Sequence, residues 1–160
     1  MKSGKYSPIK LTIIILLGFV FFCVFGVLYR KSQYTETWYI CTFPSTYETY
    51  TETLKFRFKE NSLYGYYREE QFFRDTEEEL EERYQYFKEI ENTLEMDENF
   101  SYSIKKLKDH VKVNTYINVK NAADFFENYM DSFSIKSTDT LASIEEKLKK
   151  SNYSCKIKRK

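Results

Sequence analysis

The chain has 160 residues, with 25 Lys and Arg against 24 Asp and Glu, a formal net charge of +1. That balance gives no global electrostatic case for a nucleic-acid partner. Four Gly and two Pro argue against a long disordered linker or a low-complexity tail.

The first element is Leu11 to Tyr29, LTIIILLGFVFFCVFGVLY, nineteen residues without a charge. A helix of that length crosses a hydrocarbon layer of about 30 Å at 1.5 Å per residue. A soluble helix apolar on every face would need complete burial, which a domain this small does not supply. Lys2, Lys5 and Lys10 precede the stretch, and Arg30 and Lys31 follow it. The larger positive charge before it favours a cytoplasmic N-terminus. Two alternatives compete. A cleaved signal peptide would have a shorter apolar core, and Val24-Phe25-Gly26 is a weak cleavage site. A lipoprotein would place small residues before the modified Cys, whereas bulky Phe22 precedes Cys23. Tyr29, Tyr34 and Trp38 fall where amphipathic rings sit at a membrane–water interface.

The expected organisation is therefore a cytoplasmic tail at 1–10, a transmembrane signal-anchor helix at 11–29, a short linker at 30–36 and an extracytoplasmic domain at 37–160. Some 124 residues after the linker suffice for one ordinary domain.

Within the domain, Trp38 to Phe43 is a first strand. Thr53 to Lys59 alternates Leu54, Phe56 and Phe58 with Lys55, Arg57 and Lys59, a half-buried strand with a wet face. Glu60-Asn61-Ser62 supplies a turn, and Leu63 to Gln71 returns as the second arm of a hairpin. Gly65 inside that arm predicts a bulge or a close approach. Asp75 followed by Glu78 reads as a capping box. The helix it opens runs to about Leu94, with Leu80, Tyr84, Phe87, Ile90 and Leu94 on one stripe. From Glu69 to Glu98 thirteen acids face three bases. Phe100 to Ile104 and Val111 to Val119 alternate again around a turn at Lys106 to Asp109. Asn121 is expected to cap a short helix carrying Phe125, Phe126 and Tyr129; Ser137 or Asp139 is expected to cap another carrying Leu141, Ile144 and Leu148. Tyr153 to Lys158 is a last strand. Hairpin-linked strands predict an α+β fold: a mainly antiparallel sheet of about five or six strands, with one long and two short helices packed on one face.

Cys41 and Cys155 bracket nearly the whole domain. Outside the cytoplasm an oxidising compartment permits a disulfide between them; otherwise they are two core thiols. A catalytic thiol is disfavoured, because the lone His110 sits in a polar Lys108-Asp109-His110 turn and reads as an exposed turn residue. The same single His cannot build a zinc site. The acidic helix has no Gly-containing calcium loop, so a solvated face is the plainer reading. No P-loop, dinucleotide turn or nucleophile elbow occurs. No catalytic, metal or cofactor residue is therefore assigned. From Glu145 to Lys160 seven bases face two acids. The plain reading of this basic end is a solvated helix and tail, ahead of docking on the acidic helix, contact with anionic lipid head groups or contact with wall polymer. The frequent aromatic residues, 19% of the chain, read first as codon drift beside abundant Lys, Asn and Ile, ahead of a selected binding surface.

In order and texture, YICTF around Cys41, TLKFRF, DTEEELEERYQYFKEI, VKVNTYINV and LASIEEKLKKSNYSCK resemble the YehR-like family of small bacterial envelope lipoproteins, over about residues 37–158. The resemblance implies a small extracytoplasmic α+β domain, often closed by its two cysteines, and supplies no active-site residues. Family members carry a lipid-modified Cys for which Cys23 lacks the setting; a membrane helix would replace the lipid here.

The expected function is a non-enzymatic, membrane-anchored interaction module of the envelope. Its partner class is an envelope protein, a peptide or an anionic wall or lipid component. A carboxylate-dependent hydrolase and a structural subunit of a membrane complex are the alternatives.

Overall fold

The computed structural model describes residues 36–43 and 49–159. The expected tail at 1–10, the anchor at 11–29 and linker residues 30–35 lie outside the described residues. Among the described residues no helix is long and apolar enough to cross a membrane.

The elements run β1 (Glu36–Phe43), β2 (Tyr50–Lys59), β3 (Ser62–Phe73), α1 (Glu77–Thr93), β4 (Phe100–Lys106), β5 (His110–Ile117), α2 (Ala123–Tyr129), a 3-10 turn (Asp131–Phe133), α3 (Leu141–Lys149) and β6 (Ser154–Arg159). β1 begins one residue before the expected domain start. The strands form one six-stranded sheet in the order β4-β5-β3-β2-β1-β6, and every pairing is antiparallel. This is the α+β architecture expected from the alternating strands.

The β2–β3 hairpin closes between Lys59 and Ser62 through Glu60 (φ 50°) and Asn61 (φ 70°). Two positive φ values in a two-residue loop match the right-handed twist of the strands. The register then slips. Arg57 faces Gly65 and Phe58 faces Leu63, so Tyr64 is the extra residue of a bulge beside Gly65.

Alternation divides each strand between two faces. One face carries Tyr39, Cys41, Leu54, Phe56, Tyr66, Val111, Val113 and Ile117, all buried. All three described helices pack on that face: the Tyr66 ring meets Phe126 of α2, Phe72 meets Phe87 of α1, and Ile144 and Leu148 of α3 join the same core as Phe56 and Tyr66. The core has two parts. The larger lies under α2 and α3; the smaller holds Leu80 and Phe87 of α1 against Val111 and Val113. Each fully buried side chain of this size contributes on the order of 1.5–3 kcal/mol by leaving water. All the strand pairings and both core clusters close within Glu36–Lys160, which separates from the preceding residues as its own unit.

The helix starts differ from expectation in detail. Thr76, not Asp75, caps α1 and accepts from the Glu79 amide at 3.2 Å. Thr140 caps α3, accepting from the Ser143 amide at 3.3 Å, whereas Asp139 bonds the Lys136 amide and the Ser143 hydroxyl. Asn121 does not cap α2; the cap position is Ala122, without a side-chain bond, and the Asn121 amide group donates to Asn99 instead. In each case adjacent residues offer equivalent oxygens, and the backbone register of the helix selects among them. Asn152, at φ 62°, closes the turn between α3 and β6.

Candidate functional site

Cys41 and Cys155 face each other across β1 and β6, with Cα atoms 4.0 Å apart and sulfurs bonded. Cys41 is fully buried. Among the described residues β6 is an edge strand paired to β1 alone, so this bond ties it to the sheet.

His110 is not an exposed turn residue. It opens β5, its ring lies 4.8 Å from that of Phe73, and Nδ1 is 2.8 Å from Asp109. The strand starts one residue earlier than the apolar alternation indicated. No group of three or more His, Cys, Asp or Glu is placed to hold a metal among the described residues.

The acidic helix presents Glu77, Glu78, Glu79 and Glu82 to solvent. Glu77 and Glu81 pair with Lys106, which rises from β4 beneath the helix, at 2.6 Å for Glu81. Hydrogen bonds from Lys106 and Gln85 hold the Glu81 carboxyl below its usual range. The basic C-terminal residues go elsewhere. Lys147 pairs with Asp139, Lys149 with Glu145 and Lys150 with Glu146. Lys156 and Lys158 project from β6 on the side away from the helices, opposite Ile40 and Trp38.

The convergence of carboxylates is inside the fold, and sequence reading did not find it. Glu52, on β2, is 5% exposed. Its carboxylate accepts from Arg68 on β3 and from the Tyr153 hydroxyl. Arg68 also reaches Glu70 at 3.1 Å and the Tyr129 hydroxyl at 3.2 Å, and Tyr50 donates to Glu70 at 3.0 Å. Burial pushes the Glu70 carboxyl above its usual value; Arg68 and Tyr50 only partly offset this. Burial works against the Arg68 charge, but Tyr129, Glu70 and Glu52 outweigh it and raise the guanidinium pKa. Burial, the bond to Glu52 and that carboxylate's charge also raise Tyr153. Two carboxylates holding one arginine between them, with tyrosines on their remaining lone pairs, is a satisfied ion network at the seam of the two cores.

Among the described residues the other face of the sheet carries no helix. Trp38 of β1 lies 5.3 Å from Tyr67 of β3, and Tyr67 lies 4.6 Å from Tyr116 of β5. Arg57 of β2 sits 5.7 Å over Trp38 and 5.0 Å over Tyr64, and pairs with Glu36. That bond to Glu36, partly opposed by burial, raises the Arg57 pKa. These contacts are of cation–π and offset-ring type. The register puts Tyr67 and Tyr116 in one row across the strands, Lys156–Ile40–Lys55–Tyr67–Tyr116–Ser101, and Trp38 and Arg57 in the adjoining row, Lys158–Trp38–Arg57–Gly65. The face is also basic. β2 contributes Lys55, Arg57 and Lys59, β4 and β5 contribute Lys105 and Lys112, and β6 contributes Lys156 and Lys158. Its strand acids are Glu36 and Glu69. Glu69 lies between Lys55 at 3.4 Å and Lys112 at 3.0 Å, and hydrogen bonds from Lys112 and Gln71 with the charge of Lys55 lower its pKa against the effect of burial. Trp38, expected at a membrane interface, belongs to this face.

No family model matches the sequence, and no curated protein matches it. Among solved structures it is similar to the NMR structure of a protein from Streptococcus pneumoniae TIGR4, at 14% identity and a TM-score of 0.49, covering 76% of this chain and 86% of that one.

Proposed function

We propose that this chain is a membrane-anchored, non-enzymatic binding module of a bacterial envelope. Residues 11–29 hold it in the cytoplasmic membrane, the domain from 37 to 160 faces the outside, and the helix-free sheet face meets an anionic envelope component. One observation carries this: the described helices all pack on one face, leaving the opposite face with a continuous aromatic band and an excess of cations. A helix-free sheet face of that composition attracts polyanions and offers flat area for contact. The Cys41–Cys155 bond suits an oxidising compartment. The same reading places the chain beside the YehR-like envelope proteins, with a helical anchor in place of their lipid. Against the hydrolase alternative stands the state of the carboxylates, which are solvent-exposed on α1 or spent on Arg68.

The test is co-sedimentation of the 36–160 unit with isolated cell envelopes. Binding is expected at about 50 mM salt, weakening toward about 500 mM as charges are screened. The triple variant Lys105→Glu, Lys156→Glu, Lys158→Glu is expected not to bind. Binding that ignores both salt and these substitutions contradicts the proposal.

A further inference from the structure

The aromatic band on the open face has a shape that narrows its ligand. Tyr67 and Tyr116 do not project; they lie across the sheet over Gly65. A Cβ at Gly65 would stand 3.6 Å from Cε2 of Tyr116, 3.8 Å from Cε2 of Tyr67 and 3.9 Å from Cβ of Arg57. Those are ordinary contact distances, so the rings, at an interplanar angle of 34°, leave room above Gly65 for a methyl group but not for a larger side chain. Trp38 continues the surface at 37° to Tyr67. The result is a low platform of half-buried rings. Cations stand at its margins: Lys156 and Lys158 at the β6 edge and Lys105 on β4, all exposed.

A bilayer surface fits this poorly. Insertion among head groups needs projecting apolar side chains. Among the described residues the exposed large hydrophobics, Tyr86, Met96, Phe125 and Ile157, are all off this face. A plain polyanion would use the lysines and leave the rings uncovered. The ligand that uses both is a chain of sugar rings bearing negative charge, its apolar C–H faces on the aromatic rings and its anions on the lysines. Across the band from β6 to β4, five strand spacings give about 24 Å, room for a run of several sugar rings.

We infer that the open face is a binding site for an anionic glycan, with Tyr67 and Tyr116 as the stacking platform and Lys105, Lys156 and Lys158 as its charge contacts. This rests on the proposed use of the open face and adds the ligand's chemical class.

Trp38 is the chain's single tryptophan and lies beside Tyr67, so its emission reports on the platform. The 36–160 unit is titrated with polygalacturonate, a carboxylated glycan, and with poly-L-glutamate, an anionic chain without sugar rings. Polygalacturonate is expected to shift Trp38 emission and to bind at least about tenfold more tightly than polyglutamate, the equivalent of a ring-stacking contact. Gly65→Leu, which fills the space beneath the rings, is expected to abolish that difference, whereas Gly65→Ala, whose Cβ makes only ordinary contacts, keeps it. Tyr116→Phe is expected to keep it and Tyr116→Ala to lose it. Equal affinity for the two polymers overturns the glycan inference and leaves the basic-face reading standing. Binding to phosphatidylglycerol vesicles but to neither polymer overturns it in favour of a lipid surface. Binding to no polyanion overturns both.

Discussion

Removing the Cys41–Cys155 bond is expected to cost more stability than any other single covalent change in the domain. The two residues are 114 apart in sequence. In the chain-entropy treatment, freeing a loop of that length gives the unfolded state about 4.8 kcal/mol at 25 °C. For a unit of this size that is a fall in melting temperature of about 15–20 °C. The native state adds a local effect. Among the described residues β6 pairs only with β1, so without the bond the edge strand is held by one ladder and by Tyr153, which packs beside Phe43 and Phe133. The appropriate variant is Cys41→Ala with Cys155→Ala, because a serine at fully buried position 41 would add a hydroxyl penalty of about 1–3 kcal/mol. Thermal unfolding followed by far-UV circular dichroism compares this variant with oxidised wild type and with wild type under reductant. The variant and the reduced protein should melt together, well below the oxidised protein, with faster amide exchange along β6. A difference below about 1 kcal/mol would refute the reasoning, since a closed loop of this length does not cost so little to open.

Thr76→Ala should lower stability by about 1 kcal/mol, because the Glu79 amide loses its acceptor, while Asp75→Ala should change it little; urea unfolding of the two variants separates them. Leu80→Ala, at a position 2% exposed between α1 and the sheet, should cost about 2–5 kcal/mol by the same measurement. Glu70 gives a pH signature. Burial raises its folded-state pKa, so the folded chain holds that proton more tightly than the unfolded chain does. Its contribution to stability is greatest below the ordinary value of 4.5 and is lost as pH rises through the raised folded value. Relative to wild type, Glu70→Gln should therefore gain stability between pH 4 and pH 7; a relative loss over that range would contradict the assignment.

Much of this fold is legible in the sequence because the strands are simple. Leu54, Phe56 and Phe58 alternate with Lys55, Arg57 and Lys59, and the structure buries the first set and turns the second to the open face. The α1 stripe holds as well: Leu80 and Phe87 are buried and Tyr84, Ile90 and Leu94 partly so. What escaped was relational. Glu52 continues the buried parity of its strand, yet nothing local says that Arg68 and Tyr153, 16 and 101 residues away, will satisfy it. The platform escaped for the same reason. Trp38, Tyr67 and Tyr116 lie on three strands; the β1–β2 and β2–β3 pairings bring Trp38 beside Tyr67, and the β3–β5 pairing brings Tyr116 to Tyr67 across α1 and β4. Among so many aromatic residues none of the three stands out. Gly65 was the visible clue. Its bulge was expected, but the rings that lean over it were not.

Lysine footprinting on intact cells with a membrane-impermeant amine reagent tests the display and use of the open face together. Lys149 and Lys150 lie on the helical side and are exposed; Lys105, Lys156 and Lys158 are exposed on the open face. The account predicts that Lys149 and Lys150 are modified in intact cells, while the three open-face lysines are protected until high salt displaces their ligand. Modification of all five alike would contradict the open face as the occupied surface, and modification of none until the cells are lysed would contradict its display outside the membrane.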